Sequence, residues 1–274
     1  PHHRSSAASD VYKRQSENPL QKSDSKKISL FTNVDEKCVF SIPDVNSIHS
    51  IPELLNSQGL DKQITEKLRL KSKPANLNRW KKVSSLEKNR KGITKIALVG
   101  KYTELADSYK SVNEALVHAG IHNKTEVEIE YFDSQDFNNG VKKFKPQGIL
   151  IPGGFGGRGI DGMINVAKFA RTKNIPFFGI CLGMQVAVIE FARNVLKISA
   201  NSTEFEKTTK HPVIALITEW MDKKGLTQIR NENSDKGGTM RLGSQVCILE
   251  KNSKMSKMYG GRKISERHRH RYES

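Results

Sequence analysis

The chain has 274 residues, a formal net charge of +17 and a mean hydropathy of -0.58, which leaves room for one large domain or one domain with an additional segment. No apolar run approaches the roughly 20 residues of a membrane span and no signal peptide is recognisable, so we expect no membrane partner. The Lys and Arg residues are scattered rather than gathered with aromatic side chains, which argues against nucleic-acid binding.

Three cysteines, Cys38, Cys181 and Cys247, stand far apart in the sequence. They form no Cys-x-x-Cys pair and show no Cys/His spacing that suits zinc, so we expect no metal site. Few, unpaired cysteines are typical of a reducing compartment, and we expect a cytoplasmic protein.

Residues 1–26 begin with Pro and show no hydrophobic periodicity, and they are interpreted as a non-native or disordered head. The following segment, residues 27–73, contains strand-like stretches at Ile28–Thr32 and Cys38–Ile42 and a helix around Pro52–Gln58. Because so short a segment cannot close a core of its own, we predict that it is the end of a domain whose main body lies upstream.

Residues 74–92 are predicted to be a linker with a helix around Asn78–Lys88. From residue 93 to 274, short apolar strands alternate with helical patterns, which predicts an α/β domain with an open, mainly parallel sheet flanked by helices. The expected elements are strands at Thr94–Gly100, Glu126–Phe132, Gly148–Ile151, Ile175–Ile180 and Val213–Thr218, helices at Ser108–Gly120 and Gly162–Lys173, a loop at Gly237–Gly243 and an antiparallel strand at Ser244–Leu249.

Cys181 is placed at the corner between an apolar strand and an amphipathic helix, with Gly179 and Gly183 on either side. This pattern is typical of a nucleophile elbow, whose strained backbone tolerates no bulky neighbours. The positive end of the helix predicts a lowered pKa for the thiol, and the unpaired N–H groups of the first turn could stabilise an oxyanion. A buried structural cysteine is the alternative, which the flanking glycines disfavour.

A glycine-rich loop, Pro152–Gly159, follows a strand at the end where open α/β sheets bind ligands. It lacks the Gly-Lys-[Ser/Thr] sequence of a P-loop, so a phosphate site is disfavoured. Glycines allow the backbone to approach closely and to direct N–H groups at a developing negative charge. An oxyanion role beside Cys181 therefore accounts for this loop better than a simple turn does.

Several stretches together resemble the CTP synthase family, whereas the elbow alone would indicate only the wider class I glutamine amidotransferases. The stretches are Pro152–Gly156, Gly179–Gln185, Asn201–Glu204, Gly237–Gly243 and Glu266–Glu273, with upstream similarity at Asp44–Ile48 and Leu98–Tyr102. The resemblance implies a glutamine amidotransferase domain at residues 93–274, preceded by a remnant of the synthase domain at residues 27–73. It also implies that the chain is incomplete at both ends.

By this resemblance, Cys181 attacks the side-chain amide of glutamine and forms a γ-glutamyl thioester, releasing ammonia. Gly154 and the N–H of Leu182 would form the oxyanion hole. A carboxylate and a guanidinium suit the ammonium and the carboxylate of a free amino acid. The positions implied to bind glutamine are Gly154, Leu182, Gly183, Met184, Gln185, Glu204 and Arg269.

The family converts UTP to CTP with ATP and glutamine, which implies a ligase of pyrimidine biosynthesis. ATP, Mg²⁺ and UTP would bind the synthase domain, most of which is missing here, so no cofactor is expected within this chain. Phe155 and Leu242 match positions near which GTP acts as an allosteric activator. The resemblance further implies a homotetramer for the full-length protein.

The sequence departs from the family at the base of the catalytic triad. The family has a His-Pro-Glu motif tens of residues after the Arg-Tyr-Glu stretch, and this chain does not contain it. The late histidines, His211, His268 and His270, do not match that motif, so none is assigned as general base. We expect the chain as given to be inactive or nearly so. Another triad amidotransferase and a non-enzymatic binding or regulatory module of the same fold remain as alternatives.

Overall fold

The computed structural model describes residues 12–101, 106–221, 227–229 and 241–274. The chain divides into two compact units: Pro1–Gly92 with His118–Glu126, and Ile93–Val117 with Val127–Ser274. Within the described residues, none of the helices is both long and apolar enough to cross a bilayer.

The first unit combines two parallel strands with short helices. Its elements are β1 (Tyr12–Ser16), α1 (Lys22–Thr32), β2 (Val39–Pro43), α2 (Ile51–Ser57), α3 (Leu60–Lys67) and α4 (Asn78–Lys88). Strand β1 pairs in parallel with β2. Both β1 and the first turn of α1 fall within residues 1–26, which sequence analysis set apart from the fold. The helices expected around Pro52–Gln58 and Asn78–Lys88 are confirmed by α2 and α4.

The strand predicted at Ile28–Thr32 is wrong, because these residues form the second half of helix α1. The helix ends at Asn33, whose φ of 54° is left-handed and whose N–H donates to the Ser29 carbonyl. Leu30 and Phe31 remain 79% and 85% exposed, so burial does not decide their conformation. Three apolar residues among five, Ile28, Leu30 and Phe31, are compatible with either a helix or a strand, so the short pattern does not decide between them.

The second unit contains the α/β domain that the sequence predicts. Its first part consists of β3 (Ile93–Gly100), α5 (Lys110–Asn123, whose last turns belong to the first unit), β4 (Glu126–Asp133), α6 (Phe137–Phe144), β5 (Gly148–Ile151), α7 (Ile160–Thr172), β6 (Phe177–Gly179) and α8 (Leu182–Asn194). The sheet has the order β4-β3-β5-β6, and β5 is parallel to both β3 and β6. The predicted fold class, a sheet with parallel strands flanked by helices, is confirmed.

The core of this unit lies between the sheet and helices α7 and α8. Val99, Ile149 and Ile151 are at most 2% exposed, and they share one cluster with Met163 and Ile189 from the two helices. Strands covered in this way need continuous apolar sequence, which explains why β3 and β5 were predicted nearly to the residue. The carboxyl ends of β5 and β6 therefore lie side by side at one edge of the sheet.

Later elements supply additional strands. They are β7 (Ala200–Ser202), β8 (His211–Leu216), β9 (Glu219–Met221), β10 (Thr227–Ile229), β11 (Arg241–Ile248), α9 (Lys254–Tyr259), β12 (Lys263–His270) and β13 (Tyr272–Glu273). Strands β11 and β12 are antiparallel, with Leu242 opposite Arg269, which confirms the expected antiparallel strand. The predicted loop at Gly237–Gly243 ends inside β11, and its residues 237–240 lie outside the described residues.

Candidate active site

Cys181 occupies the turn between β6 and α8, as the sequence predicts. It is the N-cap of α8, with a φ of 52° and a ψ of -105°. A residue with a Cβ is strained at such dihedrals, and strain of this kind concentrates at functional sites. The turn leaves the thiol half-buried rather than packed inside the core.

The two flanking glycines stand where no Cβ fits, as predicted, and the structure gives the physical reason. Neither Gly179 nor Gly183 has a positive φ; the strained residue is Cys181 itself. A Cβ on Gly179 would overlap the backbone of Gly183, and a Cβ on Gly183 would overlap the carbonyl of Ile151. The glycines are therefore needed because β5, β6 and the start of α8 approach one another too closely for any side chain.

The glycine-rich loop lies against the elbow. A Cβ on Gly153 would sit 3.5 Å from the Cβ of Cys181, and one on Gly154 would sit 3.1 Å from the Leu182 side chain. The backbone N–H groups of Leu182 and Gly154 both lower the pKa of the Cys181 thiol through hydrogen bonding. These two groups are the expected oxyanion-hole donors, and they lie beside the sulfur whose attack on a substrate carbonyl would turn the carbonyl oxygen into an oxyanion.

The prediction of a lowered thiol pKa is wrong. Burial raises the pKa of Cys181 above its ordinary value, and the charge of Glu204 raises it further. The N–H groups of Leu182 and Gly154 lower the pKa, as the helix N-terminus argument expects, but they do not outweigh the loss of solvation. Sequence pattern identifies the donors at the helix start, whereas the extent of burial is decided by the fold.

A cavity of about 630 Å³ opens beside Cys181. Its lining includes Phe178, Cys181, Met184, Gln185, Glu266, Arg267, His268, Arg269, His270, Tyr272 and Glu273. The cavity is thus bounded by the start of α8 on one side and by β12 and β13 on the other. Its volume is in the range of small-molecule sites.

The predicted glutamine-binding residues of α8 differ in exposure. Met184 is 40% exposed and lines the cavity, whereas Leu182 is 1% exposed. Gln185 is 4% exposed, and its Nε2 donates to the carbonyl of Tyr272 at 2.9 Å. Gly183 packs on Ile151. The Gln185 amide therefore ties α8 to β13 at the floor of the cavity.

Arg269 and Glu204 approach Cys181 from different elements. The carbonyl of Arg269 accepts from the Cys181 thiol at 3.9 Å, and the Arg269 side chain is exposed at the cavity. Glu204 follows β7, and its Oε1 accepts from the N–H of Gly156 at 2.9 Å. The Glu204 carboxylate thus lies close enough to influence the Cys181 thiol, whereas the contact that Arg269 makes with the thiol is through its backbone carbonyl.

The residues assigned to a nucleotide effector lie on separate segments. Phe155, on the glycine-rich loop, is 48% exposed, and the Arg271 guanidinium lies 5.7 Å from the centre of its ring. The backbone of Leu242 pairs with Arg269. Its side chain is outside the described part of the structure.

The sequence analysis gave Lys101 no role and considered His270 only as a general base, which it did not assign. Lys101, immediately after β3, donates from Nζ to the carbonyl of Phe155 at 3.0 Å; its place at the carboxyl end of a buried strand was the signal. His270 lies with Nε2 2.6 Å from Glu273 Oε1 at the cavity wall. Among the described residues, the polar groups in contact with the Cys181 sulfur are backbone groups, and none is an imidazole.

In the described ranges, no group of three or more His, Cys, Asp or Glu residues could hold a metal ion. The two N–H groups beside Cys181 instead suit an amide substrate, and the nearby Glu204 carboxylate suits the ammonium of a free amino acid.

Comparison with known proteins gives results consistent with this geometry. A family model described as glutamine amidotransferase class-I matches residues 104–274, and one described as CTP synthase N-terminus matches residues 4–70. A solved structure described as Trypanosoma brucei CTPS, glutaminase domain with bound acivicin, is 42% identical in sequence, with a TM-score of 0.56. The match covers 66% of this chain and 67% of that chain.

Proposed function

The chain belongs to the class I glutamine amidotransferase family, as the amidotransferase domain of a CTP synthase, and from this we propose that Cys181 is the nucleophile that cleaves glutamine. The observation that carries the proposal is the convergence of the Leu182 and Gly154 N–H groups on the sulfur of a strained, half-buried cysteine. A buried structural cysteine has no need of this arrangement.

In the proposed reaction, the Cys181 thiolate attacks the side-chain amide carbon of glutamine. The carbonyl oxygen becomes an oxyanion, which the N–H groups of Gly154 and Leu182 stabilise. The C–N bond then breaks as the nitrogen takes up the proton that Cys181 released on forming the thiolate, so that ammonia leaves and the γ-glutamyl thioester remains. Water attacks the thioester, glutamate departs and the thiol is restored.

The charges around Cys181 support a free amino acid as substrate. Glu204 is proposed to bind the α-ammonium and Arg269 the α-carboxylate, while Leu182, Gly183, Met184 and Gln185 shape the pocket between them. The raised pKa of Cys181 means that thiolate is scarce at neutral pH without a base. Because no described imidazole contacts the sulfur, we expect the chain as given to acylate slowly and to turn over weakly or not at all.

The remaining roles follow from the family. The ammonia is proposed to aminate UTP in a synthase domain that uses ATP and Mg²⁺. The described residues of this chain contain no acidic cluster that fits Mg²⁺. GTP is proposed to act near Phe155 and Leu242. We expect a cytoplasmic homotetramer for the full-length enzyme of pyrimidine biosynthesis.

The test is covalent labelling of the 274-residue chain with diazo-oxo-norleucine, an electrophilic glutamine mimic. We expect labelling at Cys181, abolished by Cys181→Ala, and protection by both glutamine and acivicin. Peptide mass spectrometry distinguishes Cys181 from Cys38 and Cys247. Labelling that glutamine does not slow would contradict a glutamine pocket.

Glutamate release decides between an enzyme and a binding module. Protection of Cys181 by glutamine together with little or no glutamate release is the expected result for this chain. Release at rates typical of enzymes, abolished by Cys181→Ala, would show that the missing imidazole contact is not limiting. A folded chain that binds glutamine without any labelling would favour the non-enzymatic module.

A further inference from the structure

Lys101 is a buried lysine that the reaction above does not use. It is 7% exposed, and its Nζ donates to the carbonyls of Phe155, at 3.0 Å, and Gly156. Burial lowers the pKa of this ammonium, an effect that the charge of Glu204 opposes. Burying an ammonium is unfavourable unless hydrogen bonds and an opposite charge compensate. Its partners therefore indicate what the lysine does.

The peptide bond between Phe155 and Gly156 is held from both sides. Its carbonyl accepts from the Lys101 ammonium, and its N–H donates to the Glu204 carboxylate at 2.9 Å. Rotation of this peptide would turn the carbonyl towards the carboxylate and the N–H towards the ammonium. A cation and an anion thus select one orientation of the peptide. Gly156 has a φ of 77°, which a residue with a side chain would rarely adopt.

The fixed peptide begins one residue after Gly154, whose N–H acts on the Cys181 sulfur. The position of this N–H depends on the backbone that follows it. Arg158, on the glycine-rich loop, adds a second contact between this loop and the end of β3. Its guanidinium donates to the carbonyl of Lys101 at 2.5 Å. The end of β3 and the glycine-rich loop therefore hold each other through two independent hydrogen-bonding groups.

We propose that Lys101 is a positioning residue which, together with Glu204, holds the Phe155–Gly156 peptide and thereby keeps the Gly154 N–H directed at Cys181. The catalytic part of this inference rests on the proposed function, whereas the contacts that hold the Phe155–Gly156 peptide do not depend on the reaction. The hydrogen bonds of the lysine go to the carbonyls of Phe155 and Gly156, so it acts through the loop. Its effect is on the oxyanion donor.

The first experiment compares three forms of the full chain: the parent, Lys101→Met and Lys95→Met. Lys95 lies on β3, the strand that Lys101 directly follows, and its side chain is 41% exposed, in a surface ion pair with Glu128, so it is a matched control. Two probes alkylate Cys181: diazo-oxo-norleucine, whose ketone takes the place of the substrate carbonyl, and iodoacetamide, which needs only the thiolate. We expect Lys101→Met to slow the first probe by about tenfold and the second by less than about twofold.

A second measurement does not depend on the proposed function. Hydrogen–deuterium exchange of the peptide covering residues 152–159 should become about tenfold faster in Lys101→Met, and Lys95→Met should exchange like the parent. Should Lys101→Met fail to fold by circular dichroism, Lys101→Gln takes its place with the same measurements. If the parent is not labelled by diazo-oxo-norleucine, the proposed function fails, and the exchange measurement alone decides the role of Lys101.

Two results would overturn the inference. One is unchanged exchange of residues 152–159 in a folded Lys101 variant, since the peptide would then be held by other groups. The other is equal slowing of both alkylating probes, which would mean that the lysine acts on the thiol rather than on the Gly154 donor. Faster loop exchange with selective slowing of diazo-oxo-norleucine is the result that supports the inference.

Discussion

Gly183 packs directly on Ile151, so that a Cβ on the glycine would overlap the carbonyl oxygen of the isoleucine. Ile151 is the last residue of β5, and Gly183 is in the first turn of the helix that follows the nucleophile. Both contact surfaces are backbone, so no side-chain rotation can relieve a clash between them.

Gly183→Ala is therefore expected to displace the start of α8 and to lower the free energy of unfolding by about 3 kcal/mol. Urea unfolding followed by circular dichroism measures this change. Gly157→Ala is the matched control, because a Cβ at Gly157 would meet no atom within 4 Å. Equal stability of the two variants would show that the helix start can shift without cost.

Glu204→Gln is expected to lower the pKa of Cys181. The Glu204 carboxylate raises that pKa, so removing its charge favours the thiolate, while glutamine retains an oxygen that can accept from Gly156. The pH profile of iodoacetamide alkylation should move towards acid. Glu206→Gln, two residues along the chain, is the control, and a profile that moves equally in both variants would contradict the assignment.

Gln185→Leu is expected to loosen β13 from helix α8. It removes the donor of the 2.9 Å hydrogen bond to the Tyr272 carbonyl at a position that is 4% exposed. Loss of one buried hydrogen bond should lower the free energy of unfolding by about 1–2 kcal/mol. Denaturant unfolding tests this, with Met184→Leu at the exposed neighbouring position as control. An unchanged unfolding midpoint would show that the Gln185 amide contributes to the cavity rather than to the stability of the fold.

Arg171→Met is expected to destabilise the contact between α7 and α8. The Arg171 guanidinium makes a two-pronged contact with Glu190, whose side chain is 3% exposed, so the variant leaves a buried carboxylate without this cation. Replacing both residues, with Glu190→Leu added, should restore part of the lost melting temperature, because no buried charge remains. A double variant less stable than Arg171→Met would contradict this account.

The elements that were predicted correctly are those in which a single local requirement constrains the sequence. Strand β5 matches its predicted bounds because a strand covered on both faces must be continuously apolar. Helix α4 matches as well. Residues 28–32 were misassigned because a five-residue segment with three apolar residues fits either a helix or a strand when neither face is buried.

The sequence by itself determined the place of Cys181 between a strand and a helix, the two glycine-containing turns and the family, since each depends on residues close together in the chain. Only the tertiary structure decided the pKa direction of Cys181 and the roles of Gly179, Gly183, Gln185 and Lys101. Solvation of a thiol, and the spacing between strand ends and a helix start, depend on elements brought together by folding. The sequence pattern around residue 181 does not indicate how deeply the thiol is buried. It also does not indicate that a lysine eighty residues earlier holds the loop beside the thiol.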